Sequence, residues 1–244
     1  MTTHVVTPIE FDDTEIEIGG PAYQHLFRAR RLRVGEELRV VDGEGRARRG
    51  VVARVDRARG VVALGSSVPS GEPSLAVELA VAPPKLERAA WLVEKATELG
   101  VTAVRFVVTA RSARDERSFG AAQLVRLRRV AIAAVEQCDR AVVPEITGPE
   151  PVARAVERAA AAGAPVVAFD AGGAPAVPAL AAFAESERLL VCVGPEGGWS
   201  PEERTTFEGA GVPRLTLGGR VLRVETAAVV GCGLALALLE RPPR

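Results

Sequence analysis

Two short stretches concentrate the residues able to do chemistry. The first, VCVGPEGGWSPEE (Val191–Glu203), runs from an apolar segment through Gly194-Pro195-Glu196-Gly197-Gly198 into what reads as a helix start. The second, LGGRVLRVETAAVV (Leu217–Val230), sets paired glycines ahead of Arg220, Arg223, Glu225 and Thr226, four polar side chains within seven residues. Glycine-rich turns between a strand and a helix often hold phosphate, because backbone N–H groups point at the ligand. Here no lysine follows, and neither GxxxxGK[ST] nor GxGxxG fits. Glu196 would repel a phosphate, yet it would tolerate a cation or accept hydrogen bonds. Taken alone, the first loop reads as a tight turn whose glycines serve backbone geometry. The second reads either as a site or as a salt-bridged turn. AFDAGG (Ala168–Gly173) is a third glycine-bearing strand end, so three loops of one sheet could wrap a single ligand with backbone groups.

Such loops need strands to carry them. RLLVCV (Arg188–Val193) stops at Gly194, which puts the glycine loop at a strand's carboxyl end, where open α/β sheets hold ligands. SPEE then predicts a helix with Ser200 as N-cap, Pro201 in first position and Glu203 completing a capping box. Upstream, LAVELAVA leads into a helix predicted over Leu86–Leu99, with Leu86, Ala90, Val93 and Ala96 as its apolar stripe. AVRFVV (Ala103–Val108) reads as a strand and the segment around Ala121–Val135 as a helix. PVVAFD (Pro165–Asp170) and RLTL (Arg214–Leu217) are further strands, and a last helix is expected from about Thr226. Near-continuous apolar strands alternating with helices predict an α/β fold with a mostly parallel sheet covered on both faces.

A break falls at SSVPSGEPS (Ser66–Ser74), where serine, glycine and proline cluster. It divides a small β-rich domain, residues 1–70, from the α/β domain, residues 74–244. In the first, ELRVVD and RGVVARV flank DGEGR, a turn signal at Asp42–Arg46. Between Leu26 and Gly60 eleven arginines face five acids. That excess makes either a platform for RNA phosphates or an ordinary solvated face compensated by the acidic stretch Glu10–Glu17.

Composition removes several classes. Formal net charge is zero, so the chain as a whole offers no electrostatic argument for nucleic acid. Cys138, Cys192 and Cys232 lie far apart with no CxxC pair, which speaks against a disulfide framework or a zinc site and for a reducing cytoplasm. His4 and His25 are the only histidines and read as structural or surface residues; no metal is expected. MTTHVVTPIEFDD lacks the pattern of a signal peptide, and the apolar run Ala227–Leu239, broken by glycines, is too short for a bilayer. A soluble, cytoplasmic protein without a membrane partner is expected.

VGPEGGWSPEE taken with LGGRVLRVETAA resembles the SPOUT-class methyltransferases, and within them the 16S ribosomal RNA (uracil-N3)-methyltransferase family. EKATELGV (Glu94–Val101), EQCDRAVVPEI (Glu136–Ile146) and HLFRARRLRVGEEL (His25–Leu38) support the resemblance in the same order along nearly the whole chain. The resemblance implies a PUA-like β-barrel for RNA, followed by a SPOUT-type α/β domain with a deep trefoil knot. It also implies a homodimer that binds S-adenosylmethionine in the knot and acts on 16S ribosomal RNA within an assembled small ribosomal subunit. The cofactor loops of the family map onto Val193, Gly194, Pro195, Glu196, Gly197 and Gly198, and onto Leu217, Gly218, Gly219, Leu222 and Thr226. Phe169, with Asp170, is mapped from the third loop. THVVTP at the front departs from a pattern that often starts with arginine and aromatic residues, and Trp199 falls at a variable position to which no role is assigned.

The implied chemistry is methyl transfer from a sulfonium to N3 of a uridine. N3 carries a proton at neutral pH, and no histidine lies near the motifs, so positioning and charge stabilisation are favoured over a dedicated strong base. Arg223 is the first choice to offset charge on the uracil oxygens, and Glu225 either orients it, assists proton removal or forms a plain salt bridge. Arg28 and Arg31 match basic positions of the family and are candidate phosphate contacts, with Arg111 a further one. Gln137 and Arg140 either face the substrate or close a helix C-terminus with their own polar groups. The competing readings are a ribose 2′-O-methyltransferase of the same superfamily and a non-catalytic RNA-binding assembly factor.

Overall fold

The computed structural model describes residues 2–112 and 119–240. The chain divides into two compact units: Met1–Glu72 with Ile132–Val143, and Pro73–Ala131 with Pro144–Arg244.

The first unit is built on a five-stranded sheet in the order β1-β3-β4-β5-β2. Its strands are β1 (Thr2–Val5), β2 (Glu15–Ile18), β3 (Glu37–Val41), β4 (Ala47–Val55) and β5 (Gly60–Val68). Only β1 and β3 pair in parallel. Two short helices, α1 (Pro8–Phe11) and α2 (Gly20–Tyr23), and a π-helical turn Gln24–Ala29 deliver Phe11, Tyr23, Leu26 and Phe27 to the core. There they meet Ile16, Leu38, Val40, Val52 and Val62. The alternation expected of ELRVVD and RGVVARV is what buries Leu38, Val40 and Val52 on one face. Asp42 shapes the DGEGR turn by accepting from the backbone N–H of Glu44 and Arg46, at 2.8 and 2.9 Å.

The chain returns to this unit at Ile132–Val143, through the end of α4 (Ala121–Cys138). Val135 and Ala141 pack with Val41 and Ala47. Glu136 accepts from His4 Nδ1 at 2.8 Å and from the Val5 N–H at 3.2 Å, and Asp139 accepts from Thr3 Oγ1 at 2.6 Å. Burial would raise the Glu136 carboxyl, but the bonds from His4 and Val5 outweigh it and hold it below the usual range. EQCDR therefore ties strand β1 down.

The second unit carries a six-stranded sheet in the order β11-β9-β10-β6-β7-β8, with every pairing parallel. The strands are β6 (Ala76–Val81), β7 (Ala103–Val108), β8 (Glu145–Pro151), β9 (Val166–Pro175), β10 (Arg188–Val193) and β11 (Arg214–Thr216). The helices are α3 (Leu86–Leu99), the start of α4, α5 (Val152–Ala161), α6 (Ala176–Leu180), α7 (Pro201–Gly209) and α8 (Val224–Leu239). Leu190 and Cys192 of β10 join α5 and α7 in one core cluster, leaving Leu189, Val191 and Val193 to the opposite face, where α8 packs. Among the described residues no helix is long and apolar enough to cross a membrane.

Four expectations shift in detail. The stripe of α3 is turned by about one position: Ala89, Leu92, Val93 and Ala96 are buried, while Leu86 and Ala90 are only partly so. Helix α4 continues past Val135 to Cys138. Helix α8 starts at Val224 rather than Thr226, with Arg223 as its N-cap. Strand β9 runs five residues beyond Asp170, because it pairs twice: Ala168 faces Arg214, then Ala174 faces Leu215, so residues 169–173 bulge out between two registers.

Gly60 shows how tightly the first core is closed. A Cβ there would lie 2.3 Å from the Phe27 ring. Gly60→Ala is expected to cost about 1–3 kcal/mol by overpacking. The readout is a lower denaturant midpoint at unchanged slope.

Candidate active site

The carboxyl ends of β9, β10 and β11 lie side by side, and the segments that leave them enclose a cavity of about 250 Å³. The bulge of β9 contributes Phe169, Asp170 and Ala171, and the glycine loop after β10 contributes Val193 through Gly198. The stretch from Leu215 to Val224 and the first turn of α8 close the third side.

Each wall is fixed by local chemistry. Pro195 O accepts from the Gly198 N–H at 2.8 Å, and Gly198 sits at φ +70°, the left-handed conformation that this tight turn needs. Ser200 and Glu203 form the expected capping box at the start of α7. Glu203 reaches further and accepts from the Ala110 N–H at 2.9 Å, while Arg111 Nη1 donates to Gly197 O at 2.6 Å. The loop after β7 thus braces the glycine loop from outside.

Trp199 corrects the sequence reading. It is fully buried, packs edge-on against Phe207 with centroids 4.9 Å apart, and donates its indole N–H to Phe169 O at 2.9 Å. A Cβ on Gly194 would come within 3.0 Å of this indole. On the other side Phe169 presses onto helix α8, where a Cβ on Gly231 would lie 2.4 Å from its ring.

The charged groups are largely self-satisfied. Asp170, with only 3% of its side chain exposed, accepts from Arg204 Nε at 2.9 Å and Arg214 Nη1 at 3.0 Å. Burial would raise its carboxyl, but hydrogen bonds from Arg204 and then Arg214 prevail and hold it below the ordinary aspartate range. Arg88, on α3, stands 3.7 Å from both Glu196 and Glu225. Glu225 is buried, and its Oε2 has no hydrogen-bond partner among the described residues.

All the mapped cofactor residues line this cavity except Gly219 and Thr226, which sit beside it, exposed and half-buried. Arg223 is exposed at the N-terminus of α8, and Glu225 lies in its first turn, against Arg88. Arg111 is turned to the loop it braces. In the other unit Arg28 is exposed, donates to Arg57 O at 3.0 Å and lies over the Tyr23 ring. Arg31 is exposed at φ +58°. Of the eleven arginines, Arg46, Arg49, Arg54 and Arg59 pair with carboxylates, Arg28, Arg39 and Arg48 donate to carbonyls, and Arg30 donates to His25. Arg28, Arg30, Arg31 and Arg33 are the densest group without a carboxylate partner among the described residues. Gln137 is exposed, whereas Arg140 is 6% exposed and holds Glu72 through Nε and Nη2, at 3.0 and 2.7 Å. Arg140 is thus turned to a carboxylate of its own chain, a partner that neither of its two readings named. Arg88 was missed because it lies far from the loops in sequence. Trp199, Arg204 and Gly231 stand near them, and were missed because the residues they meet, Phe169 and Asp170, lie 30 or more residues away.

Two family models match the chain: an RNA methyltransferase domain over residues 71–236 and an RNA methyltransferase PUA domain over residues 18–62. The ribosomal RNA small subunit methyltransferase E of Mycobacterium bovis is 36% identical over 229 residues, 89% of this chain and 84% of that protein. The small subunit methyltransferase E of Neisseria gonorrhoeae, solved bound to S-adenosyl methionine, superposes with a TM-score of 0.86 at 23% identity, covering 98% of both chains. A Legionella pneumophila methyltransferase, solved in complex with the cofactor SAM, gives 0.74 at 25% identity over 97% of both chains.

The depressed Asp170 carboxyl ties stability to pH. Its contribution is complete above the ordinary aspartate pKa of about 4 and is lost as pH falls through the lower folded value. Asp170→Asn is expected to melt lower at neutral pH and to lose less on acidification. Melting curves that fall in parallel for both proteins would disprove the assignment.

Proposed function

The chain belongs to the RNA methyltransferase family, and we propose that it methylates N3 of a uridine in 16S ribosomal RNA with S-adenosylmethionine as donor. The observation that carries this reading is the cavity at the strand ends, walled by the glycine loop, the β9 bulge and the stretch before α8. Its character suits an adenosyl group. The wall is chiefly apolar and backbone, Asp170 and Arg204 neutralise each other, and the described residues place no cluster of cations there for a triphosphate. Gly194 and Gly231 leave room for the Trp199 indole and the Phe169 ring, which back this wall. The names of the relatives point the same way.

Val193–Gly198, Phe169 and Leu217–Leu222 hold the donor, which supplies a methyl group on a positively charged sulfur. Chain residues then act on the base. Arg223, exposed at the cavity's edge, offsets the charge that grows on the uracil oxygens as N3 loses its proton. Glu225 has a buried Oε2 without a partner among the described residues, an acceptor suited to an N–H donor, and Arg88 orients the carboxylate from the other side. The N3 proton leaves to Glu225 or to solvent.

The N-terminal unit binds RNA through Arg28–Arg33, where guanidinium groups gather that have no carboxylate partner among the described residues. Trp91 on α3 and Val230 and Leu238 on α8 stay exposed and support a homodimer. The substrate sets the place of action: the cytoplasm, on RNA within the small ribosomal subunit.

Mass spectrometry of small-subunit RNA nucleosides from cells with and without the gene tests the reading. N3-methyluridine should vanish with the gene, and loss of a 2′-O-methylated nucleoside instead would refute the assignment. Arg223→Ala is expected to stay folded and to lower turnover about tenfold or more. Gly231→Ala, which drives the Phe169 ring toward the cavity, should weaken S-adenosylmethionine binding in calorimetry while leaving RNA affinity unchanged.

A further inference from the structure

Four charged side chains line the cavity, and they differ in what already occupies them. Asp170 and Arg204 are bound to each other, with Arg214 as a third member. Glu196 stands 3.7 Å from Arg88, with 65% of its side chain exposed. Arg220 is exposed and has neither hydrogen bond nor ion pair among the described residues. It follows Gly218, at φ +114°, and Gly219, on a stretch of irregular backbone that leads to α8.

An uncommitted guanidinium on the wall of an otherwise self-neutral cavity asks for an anion of fixed position. This argument rests on the cofactor reading above. The donor's adenosine is uncharged at its base and ribose, and its only anion is the carboxylate of its amino-acid arm. We propose that Arg220 recognises that carboxylate and so sets which adenosyl compounds the cavity accepts. A planar guanidinium matches a carboxylate with two parallel hydrogen bonds, and such charge-assisted pairs are the strong ones. The half-free Glu196 on the same wall offers a complementary acceptor for the ammonium of that arm. Arg223, three residues on, is not part of the wall and is left for the RNA. The two arginines of LGGRVLR thus divide the ligands: one for the donor and one for the acceptor base.

Calorimetry on the full-length protein with two nucleosides tests this. S-adenosylhomocysteine carries the amino-acid arm, and 5′-methylthioadenosine keeps adenine, ribose and sulfur without it. Arg220→Ala is expected to weaken S-adenosylhomocysteine about tenfold or more and methylthioadenosine less than about twofold. Arg220→Lys, which keeps the charge but loses the fork, should restore part of the difference. Equal weakening of both nucleosides, or weakening of neither, overturns the assignment. The second result together with reduced RNA affinity would place Arg220 on a phosphate. Failure of the unaltered protein to bind either nucleoside would overturn the cofactor reading itself.

Discussion

The Trp199 indole is completely buried, so its single N–H must find an acceptor inside the protein, and it finds the Phe169 carbonyl 2.9 Å away. That bond spans two neighbouring strand ends and sets the distance between the glycine loop and the β9 bulge. Two missing side chains make it possible. Gly194 admits the indole, and Gly231 admits the Phe169 ring on the other side. From α8 to α7 the order is helix glycine, phenylalanine ring, its own carbonyl, indole and the Phe207 ring. A change of one methyl group anywhere along this row is felt at the cavity wall.

Charge is arranged around that row so that little of it is free. Asp170 sits next to Phe169 and would be costly to bury alone, and two arginines from α7 and β11 meet it. Their bonds fasten the bulge to the elements that flank it. Arg88 does something similar on the α3 side, standing between an acid of the glycine loop and an acid of α8. What remains unpaired around the cavity among the described residues, Arg220, Arg223 and one oxygen of Glu225, lies within a six-residue stretch of chain. A surface with so few uncommitted groups can discriminate among ligands by where those groups stand.

Much of this was readable from local pattern. SPEE announced its capping box, RLLVCV its strand, and the spacing of glycines its turns, because each depends on residues within a few positions. The buried face of α3 was not, since Ala89 and Ala90 are alike in hydropathy and only packing chooses between them. The early start of α8 was hidden because Arg223 and Val224 carry no capping signature. Trp199, Arg88 and Gly231 acquire their roles from partners 30 or more residues away, such as Phe169. In EQCDR, Gln137 and Arg140 were open to either the substrate or a helix end; Glu136 and Asp139 hold β1, and Arg140 holds Glu72. A charged motif in sequence does not reveal whether its partners lie inside the protein or beyond it.

The β9 bulge has an evolutionary side. Phe169 is still paired with Val193 of β10, but residues 170–173 lie between two separate pairings with β11 and belong to neither. Inserting or deleting a residue there would leave both registers in place, provided Gly173 still lets the backbone pass close to Leu215. The sheet and the ligand wall can therefore diverge at different rates. The fold can be inherited unchanged while lineages reshape a segment that lines the cavity.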